Sequence, residues 1–548
     1  MSSGPLPLKY VGGSTVPAIT PCDLMTRLYA FADDSTMGRE VGTPAHRTAT
    51  AYIEREVRRL GLRPAGDSGT YFQNLPVVIR SFDTTSTVTV AGRTYRAGVD
   101  FVAESQGRQH QVTNLPSVFV GALLDTLTIL PPEQTKGRLL IFLVPNPGTD
   151  ASAIEASSAF QRWYQMYLSA AVRIIVVTPA FPPETAKLYA AREEMAFLNS
   201  DAPVELPSTV TFAEAVLGVA LKDAKNGMAG KLVTTNVRFI DRPRPGRNVV
   251  AILPGSDPKL AGEYVAIGAH SDHIGPPDVT VDHDSLKVFN MFARQQGMDG
   301  EPKPLSAGEW QRVNASIDSL HKLHGGRRLD SIPNGADDDG SGTVSVLEIA
   351  EAFAVGPVKP RRSLLFIWHA GEEKGLWGSE FFTDHPTVPR DSIVAELNMD
   401  MVGRGQPTDV TGVTKAGAMI HGTSNYLQVI GSRRLSTELG DLVELVNKET
   451  NLGFTFDYAL DADGHPQNIY CRSDHAEYAR YGIPIAFFTT GGHADYHMVT
   501  DEPQYIQFEH MAKVGELVFS LARKVAGLDH RLVVDKQKPA DPHGVCQQ

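Results

Sequence analysis

The run 363-SLLFIWHAGEEKGLWGSEFFTDHPTVPRDSIVAELNMD-400 decides the fold. An apolar segment, SLLFIWHA, gives way at Gly371 to two glutamates. A helical stretch follows, GLWGSEFFTDH (375–385), and a second apolar segment, IVAELNM (393–399), ends at Asp400. A strand buried on both faces reads as a continuous apolar run, and two such strands joined through a helix build a parallel sheet. Working outward, RNVVAILPG (247–255) and EYVAIGAH (263–270) read as further strands, with TVSVLEIAEAFA (343–354) as a helix. IPIAFFTT (483–490) reads as the last strand and QFEHMAKVGELVFSLARKVAG (507–527) as the closing helix. The fold class is therefore α/β: a mostly parallel, doubly wound sheet with helices on both faces.

Toward the N-terminus the pattern changes. CDLMTRLYAFADD (22–34) and TPAHRTATAYIEREVRRLGL (43–62) have helical apolar spacing, which makes residues 1–85 a helical segment expected to pack on the catalytic domain. TSTVTVAG, LPSVFVGA, GRLLIFLV and VRIIVVTP are short β-branched runs separated by glycine and proline, with one helix expected at SAFQRWYQMYLSAA (158–171). They predict a mainly-β domain over 86–240, followed after the proline-rich hinge DRPRPG by a domain over 241–530. The tail 531–548 is expected to be mobile.

With 548 residues the chain is too long for one simple core. A net charge of −12 leaves no basic footprint for nucleic acid. No stretch has the roughly 18 apolar residues that would predict a membrane span. The opening MSSGPLPLKYVGG lacks a basic, then apolar, export signal; the chain is read as secreted or periplasmic with its signal removed. The cysteines Cys22, Cys471 and Cys546 have no CxxC spacing, which excludes a cysteine zinc finger or redox pair. Cys22 and Cys471 are expected as two ordinary thiols, with a Cys22–Cys471 bridge as the alternative.

Acids and imidazoles collect where the strands end. His270 closes one strand, with Asp272 two residues on; Glu372 and Glu373 follow another; Asp400 follows a third; His497 lies in the loop after the last. In a doubly wound sheet this carboxyl edge is where ligands bind. The run Asp337-Asp338-Asp339, directly before a helix, reaches the same edge and could also act as an N-terminal cap cluster. So many carboxylates repel unless cations neutralise them, and an imidazole–carboxylate donor set without cysteine suits zinc.

The strings GAHSDHIG, NGADDDGSG, GEEKGLWGS, LNMDMVG, SDHAEYARYGIP and GGHADYHMVTDEP resemble the M28 family of zinc metallopeptidases, in the family's order across most of 247–503. Residues 86–236 are similar to its inserted protease-associated domain. The resemblance implies a three-layer zinc exopeptidase and two Zn2+ per chain. Carried over by position, the metals are held by His270, Asp338, Glu373, Asp400 and His497, with Asp338 bridging. Asp272 orients His270, and Glu372 acts as base on a water between the metals. The implied activity is an aminopeptidase acting on a peptide or small amide. Alternatives are a carboxypeptidase or dipeptidase, for which Arg404 and Arg472 lie near site motifs, a non-peptide amidase, and more remotely a non-catalytic metal-stabilised binding protein. His273 and His493 are read as second-sphere at best, and His321, His324 and His475 are left without a role. His270 and Asp338 are 68 positions apart (338 − 270), a longer gap than the family's. The extra residues 276–333, with a helix expected in LSAGEWQRVNASIDSLHKLHG, are read as a lid, a pocket wall or a subunit contact.

Overall fold

The structure is a computed structural model that describes residues 6–104, 111–122, 130–143, 167, 171–177, 187–189, 191–198, 203–277, 279–298, 300–357, 359–544 and 546–548. The chain divides into two compact units, one made of residues 1–75 with 246–548, the other of 76–245.

The larger unit is built on a nine-stranded mixed sheet. Its parallel centre is Ser363–His369, Tyr264–His270, Ile393–Met399 and Ile485–Thr489, in that order. Gly246–Leu253 and Tyr426–Ile430 flank this centre as antiparallel neighbours. Registers such as His270↔His369, Gly268↔Asn398 and Met399↔Phe488 bring the carboxyl ends of the parallel strands to one edge.

Alternation along the strands divides the core. Val249, Ala251, Val265, Ile267, Leu364, Phe366 and Trp368 pack on one side, with the helices Pro21–Phe31, Pro44–Arg59, Gly342–Val355 and Phe508–Gly527. Val250, Ile252, Ala266, Leu365 and Ile367 pack on the other, with Phe382 and Tyr478 from two shorter helices. Strand side chains point alternately to opposite faces, so one buried run feeds both helical layers. Helix Gly342–Val355 lies between the sheet and other helices, which explains its apolar residues all round.

The N-terminal segment also fixes the site edge. Arg27 is buried and pairs with Glu348, Glu351 and Glu56. Buried Arg39 donates to the carbonyls of Asn334 (2.5 Å) and Gly335 (2.9 Å), just ahead of the triple aspartate.

In the second unit, a parallel four-stranded sheet (Ser117–Ala122, Arg138–Leu143, Ala171–Val177, Val204–Ser208) accompanies antiparallel sheets of four and three strands. Strand Val77–Phe82 pairs with Phe239–Pro243, so the unit runs wider than the 86–240 read from sequence. Helix Val210–Leu217 is capped by Thr209 and ends at left-handed Gly218. The helix expected over 158–171 lies outside the described residues except for helical Tyr167 and for Ala171, which starts a strand.

Two expectations are corrected. The cysteines that pair are Cys471 and Cys546, and Cys22 is a free, exposed thiol. The tail is docked: besides that bridge, Gly464 donates to the Gln548 carbonyl (2.7 Å), Gln548 Nε2 donates to the Ala462 carbonyl (3.1 Å), and Asp535 accepts from Thr437 N (2.8 Å). Spacing along the chain could not show that a cysteine two residues from the terminus folds back 75 positions. Among the described residues, no helix is long and apolar enough to cross a membrane.

Candidate metal centre

The three aspartates before helix Gly342–Val355 are told apart by their hydrogen bonds. Asp337 Oδ1 accepts from Gly403 N (2.7 Å), and its other oxygen faces His493 Nε2 (3.3 Å). Asp339 accepts from the backbone N–H groups of His270, Gly342 and Met401. Asp338 instead turns one oxygen to each of two imidazoles: Oδ1 is 3.1 Å from His270 Nε2 and Oδ2 is 3.1 Å from His497 Nε2. Its own N–H is taken by Asp501, which also binds the N–H of Asp337. Two neighbours in the run are thus spent on backbone, and the middle carboxylate is left for a ligand.

Around Asp338 two groups form. In the first, His270 Nε2 lies 3.5 Å from Asp400 Oδ1 as well. In the second, His497 Nε2 lies 2.8 Å from Glu373 Oε2, and His273 Nδ1 lies 2.6 Å from Glu373 Oε1. The chain thus brings all five sequence-derived ligand positions together at one strand edge, with Glu372 Oε2 at 4.0 Å from His270 Nε2.

These contacts are close without being good hydrogen bonds. His270 Nε2, His497 Nε2 and Asp400 Oδ1 are buried atoms left without a hydrogen-bond partner. Buried polar atoms are normally satisfied. Atoms that approach to about 3 Å yet do not bond one another are placed to share a common point between them, as ligand atoms do. Two imidazoles and three carboxylates also form a donor set that zinc accepts. The residues present therefore fit a divalent metal pair.

Electrostatics give the same picture. Burial works to raise the Asp338 carboxyl, but His270 and His497 outweigh it and hold it well below the usual range. His497 is opposed by burial, yet the Asp338 and Glu373 carboxylates beside it lift it to about 10. Glu372 is pushed well up, first by burial and then by Asp400 and Glu373 beside it. Asp272 rises to about 6 through burial. The cluster holds protons that a cation would displace.

A surrounding layer fixes these groups. His270 Nδ1 is 3.2 Å from the Asp272 carbonyl oxygen and 3.8 Å from its carboxylate, which accepts from Glu372 N (3.3 Å). Asp272 thus touches both His270 and the backbone of the glutamate pair. Asp400 Oδ2 accepts from Ser473 Oγ (2.7 Å), which accepts from Asn398 Nδ2 (2.8 Å). Ser473 was passed over in the sequence although SDH stood in a quoted string. His273 lies nearer the centre than expected; its place beside Glu373 was signalled only by its position three residues after His270. His475 is a packing residue, stacked on Phe487 at 4.5 Å. Asp495 is held by Lys287, Arg404 and Thr500, and so anchors the loop that carries His497. His497 itself has left-handed backbone (φ 58), a conformation uncommon outside glycine.

A cavity of about 60 Å³ opens onto Asp338, Glu372 and Asp400. Leu460, Ile469, Phe487 and Tyr496 form its apolar wall, and Met298 reaches in from the 276–333 segment. A larger cavity of about 1070 Å³, lined by Lys287, Arg404 and Tyr505 among others, touches none of the five ligand positions or Glu372; the smaller one is where the chemistry can occur. Arg404 pairs with Asp409 (3.2 Å) and Asp495 (3.3 Å), and Arg472 lines the small cavity.

A parallel-centred α/β sheet whose carboxyl edge gathers two such imidazole–carboxylate groups frames a candidate metal centre. The chain belongs to peptidase family M28, whose model matches residues 248–522. It is 32% identical over 203 residues to leucine aminopeptidase 1 of Coccidioides posadasii (strain C735), covering 35% of this chain and 47% of that protein. It is 31% identical over 202 residues to leucine aminopeptidase 1 of Uncinocarpus reesii, covering 35% and 46%. The chain thus aligns with about half the length of the curated relatives it matches. Among solved structures, a zinc aminopeptidase from Bacillus subtilis aligns with a TM-score of 0.45 and 16% identity, covering 96% of this chain and 98% of that one.

Proposed function

We propose that this protein is a two-zinc aminopeptidase that removes N-terminal residues with apolar side chains of middle size. The observation that carries the reading is Asp338, which offers one oxygen to each of two imidazole–carboxylate groups. His270, Asp338 and Asp400 would hold one zinc, and His497, Asp338 and Glu373 the other. When bound, zinc polarises a carbonyl and lowers the pKa of water. His273 orients Glu373 through its second oxygen, and Ser473 orients Asp400.

Glu372 is the proton carrier. Its side chain is 12% exposed and borders the cavity, where burial pushes its carboxyl well up from the usual range. It accepts a proton from the attacking water and delivers it to the leaving amine. Acids at the cavity floor favour a free α-ammonium group. On the measure in which one water needs about 10–15 Å³, the cavity of about 60 Å³ takes about four to six heavy atoms, enough for a leucine, isoleucine or methionine side chain.

Turnover of leucine p-nitroanilide but not of its N-acetyl form tests the reading; equal rates on both end it. Arg472 at the cavity supports one competitor, a dipeptidase or carboxypeptidase that pairs the substrate carboxylate with it. That enzyme would prefer Leu-Leu to the p-nitroanilide and lose this preference in Arg472→Ala. We also propose export to an oxidising compartment, supported by the Cys471–Cys546 bridge.

A further inference from the structure

A second gathering of ligand-type side chains lies away from the centre, at the neck of the 276–333 segment. The segment leaves and re-enters through two short strands, Val281–Asp282 and Leu329–Asp330, paired with register Val281↔Asp330. His283 follows one strand and Asp330 ends the other. Glu502 faces both from the loop five residues beyond His497. His283, Asp330 and Glu502 each bring one ligand atom within 4.8 Å of the others, and none of them belongs to the groups around Asp338.

We propose that this is a third zinc site, which staples the neck of the insertion to the loop carrying His497. His283 Nδ1 is 3.1 Å from Asp330 Oδ2, the same spacing as His270 and His497 have to Asp338. Two ligand atoms on a tetrahedral zinc at about 2.0–2.1 Å lie about 3.3 Å apart. An ion pair between His283 and Asp330 alone accounts for half the cluster. It leaves Glu502 and nearby Asp34 sharing a single amide, Asn334 Nδ2, at 3.0 and 2.8 Å. Among the described residues no lysine or arginine is within ion-pair distance of Asp34, Asp330 or Glu502. The same amide of Asn334, 1% exposed, keeps its Oδ1 buried with no donor. Two partly buried carboxylates, Asp330 and Glu502, and an orphaned amide oxygen have no lysine or arginine beside them among the described residues, and one divalent cation supplies the missing positive charge. An imidazole in the donor set selects zinc over calcium or magnesium, which take oxygen ligands. Tyr505, 3.2 Å from His283 Nε2, holds the ring in place from its other edge.

The test uses the full chain, stripped with chelator and given three equivalents of zinc. Anomalous scattering at the zinc edge is expected to give a peak bounded by His283, Asp330 and Glu502. Elemental analysis is expected to lose one zinc per chain in both Asp330→Asn and Glu502→Gln. A wild-type map without that peak overturns the site, whatever the variants do, and so does unchanged zinc content in two folded variants. Because the peak is read at its own position, failure here is distinct from failure of the pair around Asp338.

Discussion

At the scale of single residues, the run Asp337-Asp338-Asp339 shows how much a string can say. Its place before a helix at the strand edge was legible, because an apolar strand followed by acids and glycines marks a ligand-binding rim. Which acid stays free depends on the nearby amide of Gly342 and on those of Met401 and Gly403, 62 and 66 positions from the acids they bind. His270, Glu373, Asp400 and His497 were readable because each follows a strand or sits in a quoted string. The parts of Ser473 and His273, though both lie in quoted strings, and of Arg39 were not, since they are defined by what the fold lays beside them. Two outcomes belong at this scale. Glu372→Gln should keep its zinc and lose turnover by roughly 10²–10⁴-fold, the usual reach of general acid–base catalysis; metal analysis and kcat for leucine p-nitroanilide check both halves. Zinc affinity should rise with pH. His497, lifted to about 10 by Asp338 and Glu373, is protonated at neutral pH in the metal-free protein, and a metal binds only the unprotonated ring. Calorimetry at pH 7 in buffers of different ionisation enthalpy should register proton release on binding; none released sinks this account.

At the scale of elements, the 276–333 segment was the chief unknown. Its long helix was legible because Ser306 and Glu309 form a capping box and Gly325 ends the helix in left-handed backbone. The reach of Met298 was not, because a turn residue after helix His283–Ala293 has no periodicity to announce its direction. Met298 packs where a side chain on Gly492 would sit, and closes the cavity beside Leu460 and Phe487. Met298→Ala should therefore enlarge the pocket. The ratio of kcat/KM for phenylalanine over leucine p-nitroanilide should rise by roughly tenfold, the scale on which apolar pockets discriminate; an unchanged ratio removes Met298 from the pocket wall.

At the scale of the molecule, the bridge from Cys471 to Cys546 ties the last residues to the turn that presents Ile469 and Arg472 to the cavity. Cys546→Ser should lower unfolding free energy by about 2–4 kcal/mol, as expected for closing a long loop, and should raise KM more than it lowers kcat. Denaturation with and without reductant, beside steady-state kinetics, measures both. The α/β class was legible from apolar runs alone; the extent of the second unit was not, because Val77–Phe82 finds its partner 160 residues on, in Phe239–Pro243. One register pair has a further consequence. Leu75 and Gly246 face each other at the ends of adjacent antiparallel strands, so residues 76–245 stand where a hairpin bend would be. Removing them leaves two strand tips, at Leu75 and Gly246, that an Asn-Gly turn can join. A chain spliced in that way should still fold as the unit of 1–75 and 246–548, because the sheet keeps every strand it pairs there.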